Sequence, residues 1–294
     1  MPGIGPHDII IRVKAAGVNP VDWKIREGLL QGRLPHEFPI IPGWDAAGIV
    51  EKVGEQVTRF KVNDPVMSYT RKEIIQGGTY AEYISVPINN VALKPEKLSF
   101  EEAAALPLAG LTAYQSIFDA LELKSGETIL IHAGAGGVGS YAIQLAKNAG
   151  AIVITTASPS NHDYVYSLGA DTVIDYNQED FAQVIQQKYP DGIDCVYDTM
   201  GETVQDKSIS ILKKGGRLCS ILAIPKEDDY KKQGYDISYV FVAPQASQLE
   251  TLGNLAQTGK LKIAIASQLP LEQAALAHEH IETGHTQGKI VLTI

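Results

Sequence analysis

The stretch of this chain that most limits what it can fold into is ILIHAGAGGVG, over Ile129–Gly139. An apolar, β-forming run enters a glycine loop, and an amphipathic segment follows at once. Gly134, Gly136 and Gly139 stand at the G-x-G-x-x-G spacing. That spacing permits a tight turn, lets backbone approach a pyrophosphate and packs a helix close against the preceding strand. The free N–H groups at the start of such a helix face the anion. Glycine-rich turns are common, so the flanks decide. Val138, Tyr141, Ala142, Leu145, Ala146 and Ala149 recur at the spacing of one helix face. Gly150 is placed to cap the helix C-terminus, and Ala151–Thr156 reads as a second buried strand. A strand, glycine loop, helix and strand within about thirty residues make a βαβ unit, and together they predict a dinucleotide-binding fold.

The rest of the chain divides in texture. With 294 residues it can hold two modest domains. The first hundred residues are β-rich and punctuated by glycine and proline, with strands expected at Asp8–Ala16, Ala46–Val53, Asp64–Ser68 and Thr79–Val86. Ser99 and Glu102 form a capping-box pair that opens an Ala-rich helix. A second helix is expected near Leu111–Leu121, after Pro107. Beyond Thr128 strands and helices alternate: Thr172–Asp175, Ile193–Tyr197, Gly216–Leu222 and Ile237–Val242 are further strands, and Asp163–Leu168, Glu179–Lys188, Thr203–Leu212 and Ser247–Thr258 are helices. With the two strands already named this is the six-stranded set of a doubly wound parallel sheet. The charged segment between Ile224 and Asp236 reads as a mobile loop, and strands at Leu261–Ala266 and Gly288–Ile294 return to the first domain. The expected fold class is α/β, with the dinucleotide domain over 101–259 and a β-rich domain built from 1–100 and 260–294.

Charge and cysteine usage exclude other classes. The net charge is −9, and the basic residues form no cluster beyond pairs such as Lys213-Lys214, which argues against a nucleic-acid partner. No apolar run is long enough to span a bilayer, and the N-terminus lacks the basic and apolar regions of a signal peptide, so a cytoplasmic location is expected. The two cysteines, Cys195 and Cys219, lie in strand-like apolar runs and read as reduced core thiols. Among the seven histidines, His278 and His280 are two apart and share no helix face; no metal site is expected.

Five motifs occur in order: VKAAGVNPVD over Val13–Asp22, PGWDAAG over Pro42–Gly48, LPLAGLTAY over Leu106–Tyr114, HAGAGGVG over His132–Gly139 and GKIV over Gly288–Val291. In this the whole chain resembles the zinc-independent quinone oxidoreductases, related to zeta-crystallin, of the medium-chain dehydrogenase/reductase superfamily. The resemblance implies a Rossmann domain inserted into a GroES-like catalytic domain. Zinc-dependent relatives carry Cys where this chain has Asn19 and His-Glu where it has Trp44-Asp45. Asn and Trp cannot serve as thiolate and imidazole ligands, and without zinc there is no strong Lewis acid to ionise an alcohol. Reduction of an already activated acceptor is favoured instead. Members of the family usually begin with a further strand pair before the segment matching Pro6–Ile10; here Met1 falls just before it, so either the start is truncated or the chain does without the pair, and truncation would leave a sheet edge unpaired.

The cofactor follows from the loop and from what comes after the second strand. Gly134, Gly136, Gly137, Val138 and Gly139 are expected to cradle a pyrophosphate. No Asp or Glu stands at Ser158, where NAD enzymes place the acid that binds the ribose diol. A carboxylate there would repel a 2′-phosphate, so NADPH is expected, with Ser158, Ser160, Asn161 and His162 as hydrogen-bond donors. The resemblance adds Tyr176 near that phosphate. It also places Asn19, Thr112, Phe241 and Val242 near the nicotinamide. Asn19 is expected to donate to the substrate carbonyl, Trp44 to wall the cleft, and Tyr69 to orient a carbonyl or donate a proton from near the cleft mouth. Asp22 and Asp45 read as loop-holding residues, and Lys289, which matches the C-terminal motif of the resemblance, as a structural one. The resulting expectation is an NADPH-dependent reductase of quinones or of α,β-unsaturated carbonyls, without zinc. An enoyl-thioester reductase and a non-catalytic NADPH-binding sensor remain as alternatives. Pairing of the last Rossmann strand, near Ser238–Val242, with its twin would make a homodimer.

Overall fold

The computed structural model describes residues 1–294, and the chain forms two compact units. One comprises Met1–Leu111 with Ala243–Ile294, the other Thr112–Val242. In chain order the strands are β1 (Asp8–Val18), β2 (Asp45–Val53), β3 (Pro65–Tyr69), β4 (Tyr83–Pro87), β5 (Val91–Leu93), β6 (Thr128–Ile131) and β7 (Ile152–Ala157). They continue as β8 (Thr172–Asp175), β9 (Ile193–Asp198), β10 (Leu212–Ser220), β11 (Asp236–Tyr239), β12 (Ile265–Pro270) and β13 (Lys289–Thr293).

The first unit is built around β1. Its N-terminal half pairs antiparallel with β4 (Ile10 opposite Ser85), its C-terminal half with β13 (Ala16 opposite Leu292), and β2 runs along both halves. Register breaks at Ile10/Ile11 and Val13/Ala15 let one strand serve two partners, because a bulge bends and twists the strand that carries it. The sheet order is β12-β13-β1-β2-β3-β5, with β4 on β1. Ile9, Ile11, Val13, Val50, Phe60, Val66 and Val86 fill the core beneath it. The chain leaves β1 at Asn19 directly into the helix Pro20–Arg26, where Pro20 takes the first helical position and its missing N–H costs nothing.

The second unit is a parallel sheet in the order β11-β10-β9-β6-β7-β8. The chain starts in the middle at β6, winds outward to β8, then crosses back to β9 and winds the other way. This is the doubly wound order, and its switch point lies between β6 and β9 at the carboxyl ends of the strands. Both faces of the sheet are buried, so strands such as Thr128–Ile131 are buried at every position. The helix Gly137–Asn148 follows β6 and buries Tyr141, Ala142, Leu145 and Ala146 as the helical periodicity requires.

Several boundaries differ from the sequence expectation. The segment between Ile224 and Asp236 is not a loop throughout: Glu227–Lys232 is a helix with three acids in its first turn, two lysines in its last and Tyr230 buried. That charge order complements the helix dipole at both ends, and a single apolar anchor escapes a periodicity search. The Leu111–Leu121 helix is an α-helix over Pro107–Tyr114 that widens to π geometry over Gln115–Ala120. The strand expected at Leu261–Ala266 runs instead over Ile265–Pro270, and that expected at Thr79–Val86 is confined to Tyr83–Pro87. The last parallel strand ends at Tyr239, so Phe241 and Val242 lie beyond it. The helix Ala246–Gln257 packs within the first unit, where Gly253 lies so close to Met67 and Pro95 that a Cβ would meet them at 2.8 and 2.9 Å. Cys195 and Cys219 are buried and free.

Candidate active site

The glycine loop leaves β6 at the switch point of the second unit. Ala133 adopts φ +51°, a left-handed conformation uncommon outside glycine. It is held there by its N–H donating to Thr156 Oγ1 at 3.0 Å, while the Gly134 N–H donates to the Thr156 carbonyl at 3.0 Å. The three motif glycines have different reasons to lack a side chain. A Cβ on Gly134 would lie 2.1 Å from Thr155 Oγ1, and one on Gly139 would lie 2.3 Å from the Ala133 carbonyl. Those two are forced by packing. A Cβ on Gly136 would meet nothing nearer than 3.4 Å. Its open face, with Gly137, Val138 and Gly139 opening a twelve-residue helix that no side chain caps, leaves a concave run of backbone N–H groups shaped for a diphosphate. The residues fit a dinucleotide.

His132 anchors this loop, a role the sequence did not signal. Its N–H donates to the Tyr197 carbonyl at 3.1 Å, its carbonyl accepts from Thr199 Oγ1 at 2.9 Å, and its Nε2 lies 3.0 Å from Ser208 Oγ. Burial pushes the imidazole down to about 4, so it is a neutral brace near neutral pH.

The carboxyl ends of β7 and β8 lie on the same sheet edge as the loop. Just past β7, Asn161 Nδ2 donates to Ser158 Oγ at 3.0 Å, and the Ser158 and Ser160 hydroxyls are 3.1 Å apart. The first carboxylate after β7 is Asp163, on the helix His162–Ser167. His162 Nε2 lies 3.3 Å from the Ala157 carbonyl. Tyr176, directly after β8, is half exposed. Phe241 is exposed and Val242 buried at the C-terminal limit of this unit; Thr112, buried, is its first residue.

The first unit contains a buried polar cluster. Asn19, at the end of β1, donates from Nδ2 to Asp45 Oδ2 at 2.8 Å, and its Oδ1 accepts from Lys289 Nζ. Lys289 also donates to the Val18 carbonyl at 3.0 Å and lies 3.6 Å from Asp45. Asp45 Oδ1 accepts the Leu108 N–H at 2.7 Å. Asp22 Oδ2 accepts from the Asn19 N–H at 2.8 Å and from the Tyr80 hydroxyl at 3.1 Å, whereas its Oδ1 has no partner. The Tyr80 hydroxyl is also 3.3 Å from His278 Nε2. Two acids therefore share one buried cation. Burial pushes both carboxyls up, Asp22 to about 7, and pushes Lys289 down. Asn19 is thus committed at both ends of its carboxamide; its second Nδ2 hydrogen has only the Gly17 carbonyl, at the 3.5 Å limit. Tyr80 and His278 lie 58 and 256 positions from Asp22 and have no sequence signature linking them to it.

Trp44 is buried and meets Tyr69 edge-on with ring centroids 6.2 Å apart. Tyr69 is the last residue of β3 and has no exposed surface, which corrects the expectation that it stands at a cleft mouth. Its strand extends one residue further than its polarity pattern implied, and that residue faces inward. Its hydroxyl is buried, and burial raises its pKa well above the ordinary phenol range, with the Arg71 side chain opposing the rise. No trio of His, Cys, Asp or Glu side chains is placed to hold a metal ion. No helix is long and apolar enough to cross a membrane.

Comparison with known proteins agrees with this architecture. Residues 5–96 match the alcohol dehydrogenase GroES-like domain, and residues 168–292 match the zinc-binding dehydrogenase family. The chain is 36% identical over 300 residues to a 2-methylene-furan-3-one reductase of Solanum lycopersicum, covering 99% of this chain and 73% of that protein. It is 34% identical to an NADPH-dependent alkenal/one oxidoreductase of Arabidopsis thaliana, with the same coverage of 99% and 73%. The solved quinone oxidoreductase from Coxiella burnetii superposes with a TM-score of 0.90 at 37% identity, over 100% of this chain and 92% of that one. The chain belongs to the medium-chain dehydrogenase/reductase superfamily and is an oxidoreductase.

Proposed function

We propose that the protein reduces quinones or α,β-unsaturated carbonyls with NADPH and without zinc. The observation that carries the reading is the glycine cradle followed by a strand end with no carboxylate. Gly134–Gly139 would hold the diphosphate, and the Ser158 and Ser160 hydroxyls with the Asn161 amide would turn to a 2′-phosphate that an acid at this place would repel. Tyr176 would lie alongside. The bound cofactor supplies the hydride; the protein's part is to position it. Asn19, Thr112, Phe241 and Val242 would border the nicotinamide, and Trp44 would wall the acceptor. Tyr69 stays neutral at any physiological pH and, buried edge-on against Trp44, would hold that ring in place rather than touch the acceptor. The residues do not fit a zinc ion: Asn19 and Trp44 stand in ligand positions, and Asp45 is engaged by Asn19, Lys289 and the Leu108 N–H. An acceptor that already carries a conjugated carbonyl needs no metal to take a hydride. The names of the relatives, alkenal/one and quinone oxidoreductases among them, support this substrate class.

The test is NADPH oxidation across a panel of quinones, enals and enones. Tight NADPH binding with no oxidation by any acceptor would sink the reading and favour a sensor, and equal affinity for NADH would sink the cofactor assignment. We also propose a homodimer formed through β11, which has a neighbour on one side only and exposes Tyr239. A monomer by light scattering at micromolar concentration would contradict it.

A further inference from the structure

The helix Ala274–Glu282 is tied to the β-rich unit by a chain of hydrogen bonds whose direction is fixed by chemistry. The helix has nine residues and buries only Ala277 and His278. His278 Nδ1 lies 3.2 Å from Arg26 Nη1, and its Nε2 lies 3.3 Å from the Tyr80 hydroxyl, which in turn is 3.1 Å from Asp22 Oδ2. Both ends of this chain are one-sided. A guanidinium only donates, so His278 Nδ1 must accept. A carboxylate only accepts, so the Tyr80 proton points to Asp22, and His278 Nε2 must carry the hydrogen that Tyr80 receives. When Asp22 takes up a proton, its unpartnered Oδ1 is the place for it, and Oδ2 goes on accepting. One tautomer of neutral His278 therefore satisfies both neighbours. The imidazolium does not, because its Nδ1–H would face the guanidinium, donor against donor and charge against charge. Glu282, one turn further along the helix, favours the extra proton, but its carboxylate already accepts from Arg26 at 2.7 Å. Burial, with Arg26 adding to it and Glu282 opposing, holds His278 below its ordinary value of 6.5. The elements beneath the helix present apolar side chains: Ala16 and Val18 from β1, Leu269 from β12, Leu271, and Ile290 and Leu292 from β13. Lys289 of β13 is turned to Asn19 instead.

We propose that this chain is an acid-released latch: a proton on His278 frees the helix Ala274–Glu282 from the helix Pro20–Arg26 and admits water to Tyr80 and Asp22, while the sheet beneath stays folded. The inference goes beyond the reductase reading and does not depend on it. The sign follows from the two states of the helix. Released, His278 returns to its ordinary value of 6.5; docked, it lies lower. Docking is therefore at full strength above 6.5 and weakens as pH falls below it, by at most about tenfold per pH unit for one proton. Asp22 acts in the opposite sense. Its carboxyl, raised to about 7, stabilises the unit as pH falls, so a helix that loosens over the same range is moving against the rest of the unit.

Backbone hydrogen exchange on the full chain tests this, read as protection factors so that the intrinsic pH dependence of exchange cancels. In wild type, protection of Ala274–Glu282 should drop about tenfold between pH 6.5 and about pH 5, while β2 keeps its protection. His278→Gln offers an acceptor to Arg26 and a donor to Tyr80 in one neutral side chain, and should remove the drop. Arg26→Gln, at an exposed position, takes away the facing cation and leaves Glu282 free to pair with the imidazolium; it should shrink the drop as well. Equal protection of the helix at both pH values in wild type overturns the inference. So does a drop of unchanged size in either folded variant, and so does a drop that β2 shares, which would be general loosening of the unit.

Discussion

Replacing Asp22 by Asn isolates the electrostatics of the buried cluster. Asp22 is fully buried, and its carboxyl rises from 3.8 to about 7, mainly through burial, with the Asp45 charge adding to the rise and the Asn19 N–H, Lys289 and Tyr80 opposing it. The folded pKa lies above the unfolded one, so between these values the folded protein binds more protons. Stability from this group is complete below about 4 and is lost as pH rises through about 7. A tenfold change in proton affinity is worth ~1.4 kcal/mol, which makes the whole window ~4 kcal/mol. Asn keeps the carbonyl oxygen that accepts from the Asn19 N–H and Tyr80, carries no charge, and leaves Lys289 paired with Asp45. The D22N protein should therefore gain about 2–3 kcal/mol relative to wild type between pH 5 and pH 8. Urea unfolding followed by tryptophan fluorescence measures this directly, because Trp23 and Trp44 both lie in the first unit. A stability difference that stays constant across that range refutes the reasoning. So does a D22N deficit that grows with pH, which would make Asp22 a structural anion paired through the cluster with Lys289.

The glycine loop separates folding from binding: Gly139→Ala, whose Cβ would meet the Ala133 carbonyl at 2.3 Å, should lower the melting temperature and abolish NADPH binding. Gly136→Ala should leave the melting temperature within a degree or two and weaken NADPH by about tenfold or more, since its methyl points into open space where a phosphate must approach; titration by cofactor fluorescence distinguishes the two. Ser158→Asp should reverse the preference from NADPH to NADH, and an unchanged ratio of the two affinities would place the 2′-phosphate elsewhere. Lys289→Met leaves Asp45 buried without its cation and should cost ~3 kcal/mol or more. Adding Asp45→Asn should recover part of that loss, whereas strict additivity in the double-mutant cycle would show that the pair does not interact.

What could be read from sequence was whatever local chemistry determines. The G-x-G-x-x-G run, the Ser99–Glu102 capping pair and the alternation of apolar strands and periodic helices each lie within a short window, and the structure places the doubly wound sheet where they indicate. The same holds for the missing acid after β7, which is a statement about one strand end. The cluster around Asn19 is different in kind. Asn19 and Asp22 are close in sequence, but Lys289 comes from β13 and donates to Asn19 only because β13 lies beside β1. Asp45 faces them because β2 runs along β1, with Gly17 opposite Asp45. Those contacts exist through register, and register depends on the whole sheet. Tyr80 and His278 come from a loop and from the helix Ala274–Glu282, where nothing local distinguishes a buried hydrogen-bonding residue from a surface one. The same logic explains Tyr69. Its place just past the expected strand suggests a cleft mouth; as the last residue of β3 it packs edge-on against Trp44 and is buried instead. The sequence therefore spells out the half of the site that would bind the cofactor, because a phosphate cradle is a local backbone shape. The half that would meet the acceptor is assembled by a sheet whose strands lie far apart in the chain, so no short window of sequence displays it.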